Sequence, residues 1–292
     1  VTLNKDIYLG IGIPTYGGIA SNFFDFVCDL IMLLTQSGVS FIFLCNHGDS
    51  LITRSRNEIM TEFYNLCRTK EHKNLTHFIF LDSDIYTDPR GVLKLIDNTL
   101  KYDIHLTGGY VPLKGFVDDT LQLCKRYTVD PNNEQIHYDK EKTLIKTDRL
   151  TTGFLLFTRK LVDDLVENCE KNGDWYHRDG NDRTKIYDLY KLGVVDSTNE
   201  KGQSFRHYLS EDWYICHVVE KLGYDVVLDK SIYIEHRGDY DYRFPTNETF
   251  SRMSIARQAV KDAEDKGLVE ESGDATRLKY CVNRGGSDDV SS

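Results

Sequence analysis

Phe78-Ile79-Phe80-Leu81-Asp82-Ser83-Asp84 decides how this chain reads. Following His77, the apolar run leaves no polar position, so a strand there must be covered on both faces. It ends abruptly in two carboxylates one residue apart. An apolar strand that delivers acids to solvent at its carboxyl end suits a parallel α/β sheet, whose ligands gather at that end. Two carboxylates at one tight turn can approach a single ligand, and hard divalent cations prefer such oxygen donors. Asp82 and Asp84 are therefore candidate metal residues, weighed against an ordinary acidic turn or helix cap.

Outward from this stretch, strands and helices alternate. Ile7–Pro14 reads as a strand closed by Pro14, with Thr15–Ala20 as a glycine-containing loop. Asn22–Ser37 has helical periodicity, Val39–Cys45 is a second apolar strand, and Leu51–Thr69 is a helix with Arg54, Arg56 and Asn57 in its first turns. Asp88-Pro89 starts a helix that reaches about Tyr102, and Ile104–Tyr110 is a fourth strand. This alternation predicts a mostly parallel central sheet flanked by helices. Pro14-Thr15-Tyr16, Asn46-His47-Gly48-Asp49 and Asp82-Ser83-Asp84 then share the carboxyl edge of that sheet.

The pattern changes after about residue 115. Leu121–Val129, Thr143–Leu150 and Thr152–Thr158 are β-rich, Arg159–Lys171 is helical, and a small antiparallel β element is expected beside the main sheet. A polar stretch with aromatics runs from Asn172 to Tyr208. Ser210–Leu222 is a helix with Ser210 as N-cap. Short strands at Asp225–Leu228 and Ile232–Glu235 lead to His236. The tail from Tyr242 holds one expected helix, Phe250–Lys266, and the terminal RGGSDDVSS is expected to be disordered.

Four further segments carry chemistry. Ser210-Glu211-Asp212-Trp213 sets acids at a helix start, where they either complement the helix dipole or act on a substrate hydroxyl as general base. Ile232-Tyr233-Ile234-Glu235-His236-Arg237-Gly238 delivers a histidine after an apolar strand; beside Asp82 and Asp84 it is a candidate metal ligand. Thr53-Arg54-Ser55-Arg56-Asn57 offers guanidinium groups suited to phosphate oxygens, or else a solvated basic face. Thr151-Thr152-Gly153-Phe154 sets a glycine between strand segments, where a backbone approaches a ligand or a bulge forms.

Composition narrows the class. The chain has 292 residues and a net charge of −10, with 40% hydrophobic and 28% charged residues, an ordinary globular mix. The acidic balance argues against a nucleic-acid backbone binder. No apolar run of about 18 or more residues occurs, so no transmembrane segment is expected. Seven cysteines without a CxxC pair read as buried hydrophobes in a reducing compartment, and the cytoplasm is the expected location. There the sequons at Asn74 and Asn247 carry no meaning. The chain starts without a methionine, which fits a missing upstream piece.

The order of these motifs resembles the GT-A glycosyltransferases over about residues 7–240, most closely the DxD-containing enzymes of large algal DNA viruses of the chlorella virus type and of phages. The resemblance rests on the Pro-Thr strand end, the Arg-Asn pair, FIFLDSD, TTGFLLFTR, YLSEDWYICHVVEKLG and IYIEHRG. It implies one GT-A, Rossmann-like catalytic domain over residues 1–240, with a nucleotide-sugar donor half at 1–115 and an acceptor half at 116–240. Residues 241–292 would form a C-terminal, helical extension. It also implies Mn2+ (or Mg2+), held by Asp84 and His236, with Asp82 reaching the ribose or the metal through water. Pro14, Thr15 and Tyr16 would bind the base, Arg56 the nucleotide or diphosphate, and Ser83 and Gly153 would line the donor site. Asp212, with Glu211, would act on the acceptor.

The implied reaction moves a sugar from a nucleoside-diphosphate sugar, expected to be a UDP-sugar, to a hydroxyl of a glycan or glycoprotein acceptor. Trp175, Tyr176 and Tyr187 are expected to frame the acceptor pocket. Three other classes compete. A haloacid-dehalogenase-type phosphotransferase would need Thr or Val where Tyr86 stands and its acidic motif after the first strand. A metal-dependent nucleotidyltransferase would carry a basic residue in the Pro14–Ser21 loop, which has none. A non-catalytic carbohydrate-binding module would not require Asp82, Asp84, Asp212 and His236 together. The sugar, the acceptor, the anomeric outcome and the oligomeric state stay open.

Overall fold

The computed structural model describes residues 6–112, 138–141, 143–198, 202–237 and 241–242, all within one compact unit. The expected strand at Leu121–Val129, Gly238, the helix at Phe250–Lys266 and the terminal tail lie outside the described residues.

The first half alternates as expected, with one short strand, the fourth, that was not anticipated: β1 (Tyr8–Thr15), α1 (Ser21–Gln36), β2 (Ser40–His47), α2 (Ile52–Leu66), β3 (His77–Leu81), β4 (Ile85–Thr87), α3 (Arg90–Tyr102) and β5 (Leu106–Tyr110). The second half adds β6 (Leu144–Thr147), β7 (Phe154–Thr158), α4 (Arg159–Asn172), β8 (Trp175–His177), β9 (Lys185–Tyr187), β10 (Gly193–Thr198), β11 (Ser204–Leu209), α5 (Glu211–Lys221), β12 (Val226–Arg237) and β13 (Asp241–Tyr242). The Thr158 hydroxyl caps α4 by accepting from Leu161 N, and Gly173 ends that helix at φ 71°, a conformation only glycine adopts at no steric cost.

The chain is a mixed α/β protein with a large, mainly parallel central sheet flanked by helices, plus small antiparallel sheets. Along the main sheet the order is β13-β12-β5-β7-β3-β1-β2. β2, β1 and β3 run parallel, and so do β5 and β12, whereas β7 runs against both its neighbours. β7, from the second half of the chain, is thus inserted between two strands of the first half. The chain steps from β1 to β2 on one side and to β3 on the other, so the order reverses beside β1, where open α/β sheets bind ligands.

Two expectations were too coarse. The short strands expected at Asp225–Leu228 and Ile232–Glu235 are one strand, β12, with an irregularity between Asp229 and Tyr233. Asp229 is fully buried there and accepts from Asn98 Nδ2 at 2.9 Å, Ser231 N at 2.9 Å and Ser231 Oγ at 2.6 Å. Satisfying this buried carboxylate stabilises the irregularity, and its partner on α3, Asn98, was invisible in the local pattern. The polar stretch from Asn172 to Tyr208 also contains two antiparallel ribbons, β8–β9 and β10–β11.

The sheet separates two hydrophobic cores. Leu9, Ile11 and Ile13 face α1 and α3, together with Ile79 and Leu81. Phe78 and Phe80 point to the other side, against α2, α4 and α5. Alternation along β1 leaves Gly10 and Gly12 on that second face. A Cβ at Gly10 would stand 2.6 Å from the Phe63 ring, and one at Gly12 2.5 Å from Phe78 Cζ. The absent side chains bring α2 close to the sheet, which sets the depth of its first turns.

Candidate active site

The expected segments converge at the carboxyl edge of the sheet. Pro14 and Thr15 end β1 in register with Asn46 and His47 of β2. Thr15 is buried, and its Oγ1 lies 2.6 Å from His47 Nδ1. Tyr16, the next residue, is 70% exposed, so its ring is open to a planar ligand. At the end of β3 the chain turns through Asp82-Ser83-Asp84, with Ile85 N donating to Asp82 O at 3.3 Å. Ala20 N donates to Ser83 O at 3.3 Å, which ties the β1–α1 loop to this turn.

The turn sends the chain into β4, which pairs antiparallel with β12 and sets Ile85 opposite His236. Arg237 N then donates to Asp84 O at 2.7 Å. This register brings His236 to Asp84: Nε2 stands 3.5 Å from Asp84 Oδ1. The His236 Nδ1–H donates to the Pro112 carbonyl at 2.8 Å, since a carbonyl can only accept. That bond orients the ring and turns Nε2 toward the carboxylate. A backbone carbonyl on the far nitrogen is the usual support of a metal-binding histidine.

Asp82, two residues earlier, has different neighbours. Arg56 Nη2 donates to its Oδ2 at 3.0 Å and its Oδ1 at 3.2 Å. The same guanidinium uses Nη1 toward Asp212 Oδ1 at 2.8 Å and Glu211 Oε1 at 3.2 Å. Asp212 Oδ1 also accepts from Thr152 N at 3.2 Å, whereas Oδ2 takes no bond among the described residues. Asp82, Glu211 and Asp212, from β3 and α5, thus close around one arginine from α2. Arg56 is only 3% exposed. Burial alone would lower its pKa, but Asp82, Asp212 and Glu211 lift it above the ordinary value and keep it charged. Burial pushes the Asp82 and Glu211 carboxyls up, and repulsion from Asp212 adds to both.

Gly153 serves this cluster. Asp82 N donates to Gly153 O at 3.0 Å, and a Cβ on Gly153 would stand 3.0 Å from Asp82 Oδ2. The glycine makes room for a carboxylate of the protein itself.

Sequence reasoning gave no role to Asn57 or Tyr190. Asn57 is buried; it accepts from Tyr190 N at 2.7 Å and donates to Asp188 Oδ1 at 2.9 Å. The Tyr190 ring, itself fully buried, lies 5.7 Å from the Arg56 guanidinium. The polar start of α2 held the signal: Arg56 and Asn57, buried polar residues on an otherwise core-packed helix, need partners. Nearby, β8–β9 anchors on α2 through Tyr187 N to Thr61 Oγ1 at 3.1 Å. On that ribbon Trp175 is 40% exposed beneath Lys185 Nζ, 4.5 Å from its ring centre, and Tyr187 is buried.

Among the described residues no three His, Cys, Asp or Glu side chains gather as a metal-binding group. What the edge offers is a pair, Asp84 and His236. Such a pair fits a hard divalent ion that completes its shell with phosphate oxygens and water, not a closed protein cage.

No family model matches the chain, and no curated protein matches it. Among solved structures it is similar to a glycosyltransferase involved in the glycosylation of the major capsid of PBCV-1, with a TM-score of 0.29 and 11% identity, over 53% of this chain and 62% of that one. The chain therefore spans less than two thirds of that structure, and the likeness is weak. Among the described residues no helix is long and apolar enough to cross a membrane.

Proposed function

We propose that the chain is a metal-dependent glycosyltransferase of the GT-A type. It would move a sugar from a nucleoside-diphosphate sugar, with UDP as the nucleotide, to a hydroxyl of a glycan or glycoprotein. One observation carries the reading: an Asp84–His236 pair able to take a cation stands at the same sheet edge as an arginine-bound set of Asp82, Glu211 and Asp212.

In this reading Asp84 Oδ1 and His236 Nε2 hold Mn2+ or Mg2+, whose charge would stabilise the departing diphosphate. Exposed Tyr16 stacks on the base. Arg237, joined to the turn through its backbone bond to Asp84, adds positive charge on the diphosphate side. The unbonded Oδ2 of Asp212 accepts the proton of the acceptor hydroxyl, and Trp175 offers an aromatic face to the acceptor.

Thermal shift with UDP, with and without MnCl2, tests this directly. Binding to the native state stabilises it, so Mn2+ should enlarge the shift produced by UDP. A UDP shift indifferent to Mn2+, or no shift at all, overturns the reading. A screen of nucleotide sugars for slow Mn2+-dependent hydrolysis would then identify the donor.

A further inference from the structure

We propose that Arg56 is a positioning residue: it holds Asp82, Glu211 and Asp212 as one unit and does not touch the donor diphosphate. The clamp stands on geometry alone; its effect on turnover rests on the proposed sugar transfer.

The hydrogen-bond inventory of the guanidinium carries the inference. Arginine has five N–H donors. Both Nη2 contacts go to Asp82, and both Nη1 contacts go to Glu211 and Asp212. The fifth donor, Nε, is buried and unpaired, and the side chain is only 4% exposed. With its side chain only 4% exposed and both Nη atoms turned to carboxylates, the guanidinium presents no open face to a phosphate arriving from solvent. A planar fork bridges carboxylates on two separate elements; a lysine ammonium, a point charge, cannot hold both at fixed angles.

The fork is itself fixed. Gly10 and Gly12 let α2 press onto β1, and the Tyr190 ring lies alongside the guanidinium, held by Asn57. The consequence falls on Asp212. Arg56 and Thr152 N occupy Oδ1, so the carboxylate cannot rotate freely, and Oδ2 is the oxygen left for the acceptor. Asp82, drawn to Arg56, leaves the cation to Asp84 and His236.

The test has two arms. In steady-state hydrolysis of the donor found by screening, with MnCl2, Arg56→Lys should lower kcat about 100-fold and leave donor KM within about 2-fold, the signature of misplaced groups. Arg237→Ala should do the reverse and raise KM. A raised KM with unchanged kcat in Arg56→Lys would make Arg56 a diphosphate contact and overturn the proposal. The second arm needs no substrate. Arg56→Met should lower Tm by about 10 °C, because it removes the one cation shared by three partly buried carboxylates, and adding Asp82→Asn should recover much of that loss. Losses that simply add would break the clamp. If the wild type shows neither a UDP–Mn2+ shift nor hydrolysis, the transferase reading fails, and the stability cycle still decides the clamp.

Discussion

Asp82 and Asp84 stand two residues apart, yet they have opposite surroundings. Asp82, its side chain 25% exposed, is bonded to a buried arginine and packed against the backbone of Gly153. Asp84 faces outward, its side chain 35% exposed, toward the imidazole of His236. In a continuing strand the two would share a face. A turn separates them here and aims each at a different partner. The acidic motif is thus two devices joined by one serine: one belongs to the carboxylate cluster shared with α5, the other to the Asp84–His236 pair shared with β12.

Substitutions at the outward device should have the largest effect. Asp84→Ala and His236→Ala should each abolish the Mn2+ enhancement of the UDP thermal shift and change the Tm of the ligand-free protein little, because both side chains are partly exposed. Retention of the enhancement in either variant would remove that residue from the cation site.

Gly153→Ala probes the device at Asp82. Its methyl group would stand 3.0 Å from Asp82 Oδ2, so a carboxylate held by Arg56 must shift by a few tenths of an ångström, and overpacking of this kind costs about 1–3 kcal/mol. Denaturant unfolding should show that loss. The UDP–Mn2+ shift should persist, since Asp84 and His236 are untouched. If the shift disappears with the stability intact, Gly153 lies against the ligand instead.

The smallest expected effect is electrostatic. Burial, and then Asp212, raise the Glu211 pKa in the folded chain. Folding therefore binds a proton between the unfolded and folded pKa values, and stability falls as pH rises through the folded one. Glu211→Gln removes this loss. The Tm difference, variant minus wild type, should grow more positive from about pH 4 to about pH 8. A difference that is flat or moves the other way would mean that the bond to Arg56 outweighs burial, and the cluster would then be held more tightly than these surroundings imply.

Arg56 shows where sequence reading stops. Its place near a helix start suggested a phosphate contact, because guanidinium groups suit phosphates. The structure turns both arms of the guanidinium to carboxylates, two of which lie more than 150 residues away, as the separations of 155 and 156 show. No local pattern announces a partner at such a distance. Gly153 raises the same difficulty: a strand glycine signals close approach, but whether a ligand or Asp82 approaches depends on β3 and β7 lying side by side.

What the sequence determined by itself is the local periodicity and punctuation. Phe78–Leu81 is a buried strand because every residue is apolar, Pro14 and Asp82 mark strand ends, and the polar start of α2 and the acidic start of α5 are visible in composition. Apart from β4, expected and observed elements of the first half accordingly agree to within a few residues. Only the tertiary structure decided which ends meet. Insertion of β7 between β3 and β5 gave Asp82 its neighbour, the pairing of β12 with β4 set His236 opposite Ile85, and close packing of α2 on Gly10 and Gly12 set the depth of Arg56. These are long-range choices. They depend on which surfaces fill and satisfy one another once the chain has closed on itself, and no window of neighbouring residues contains that information.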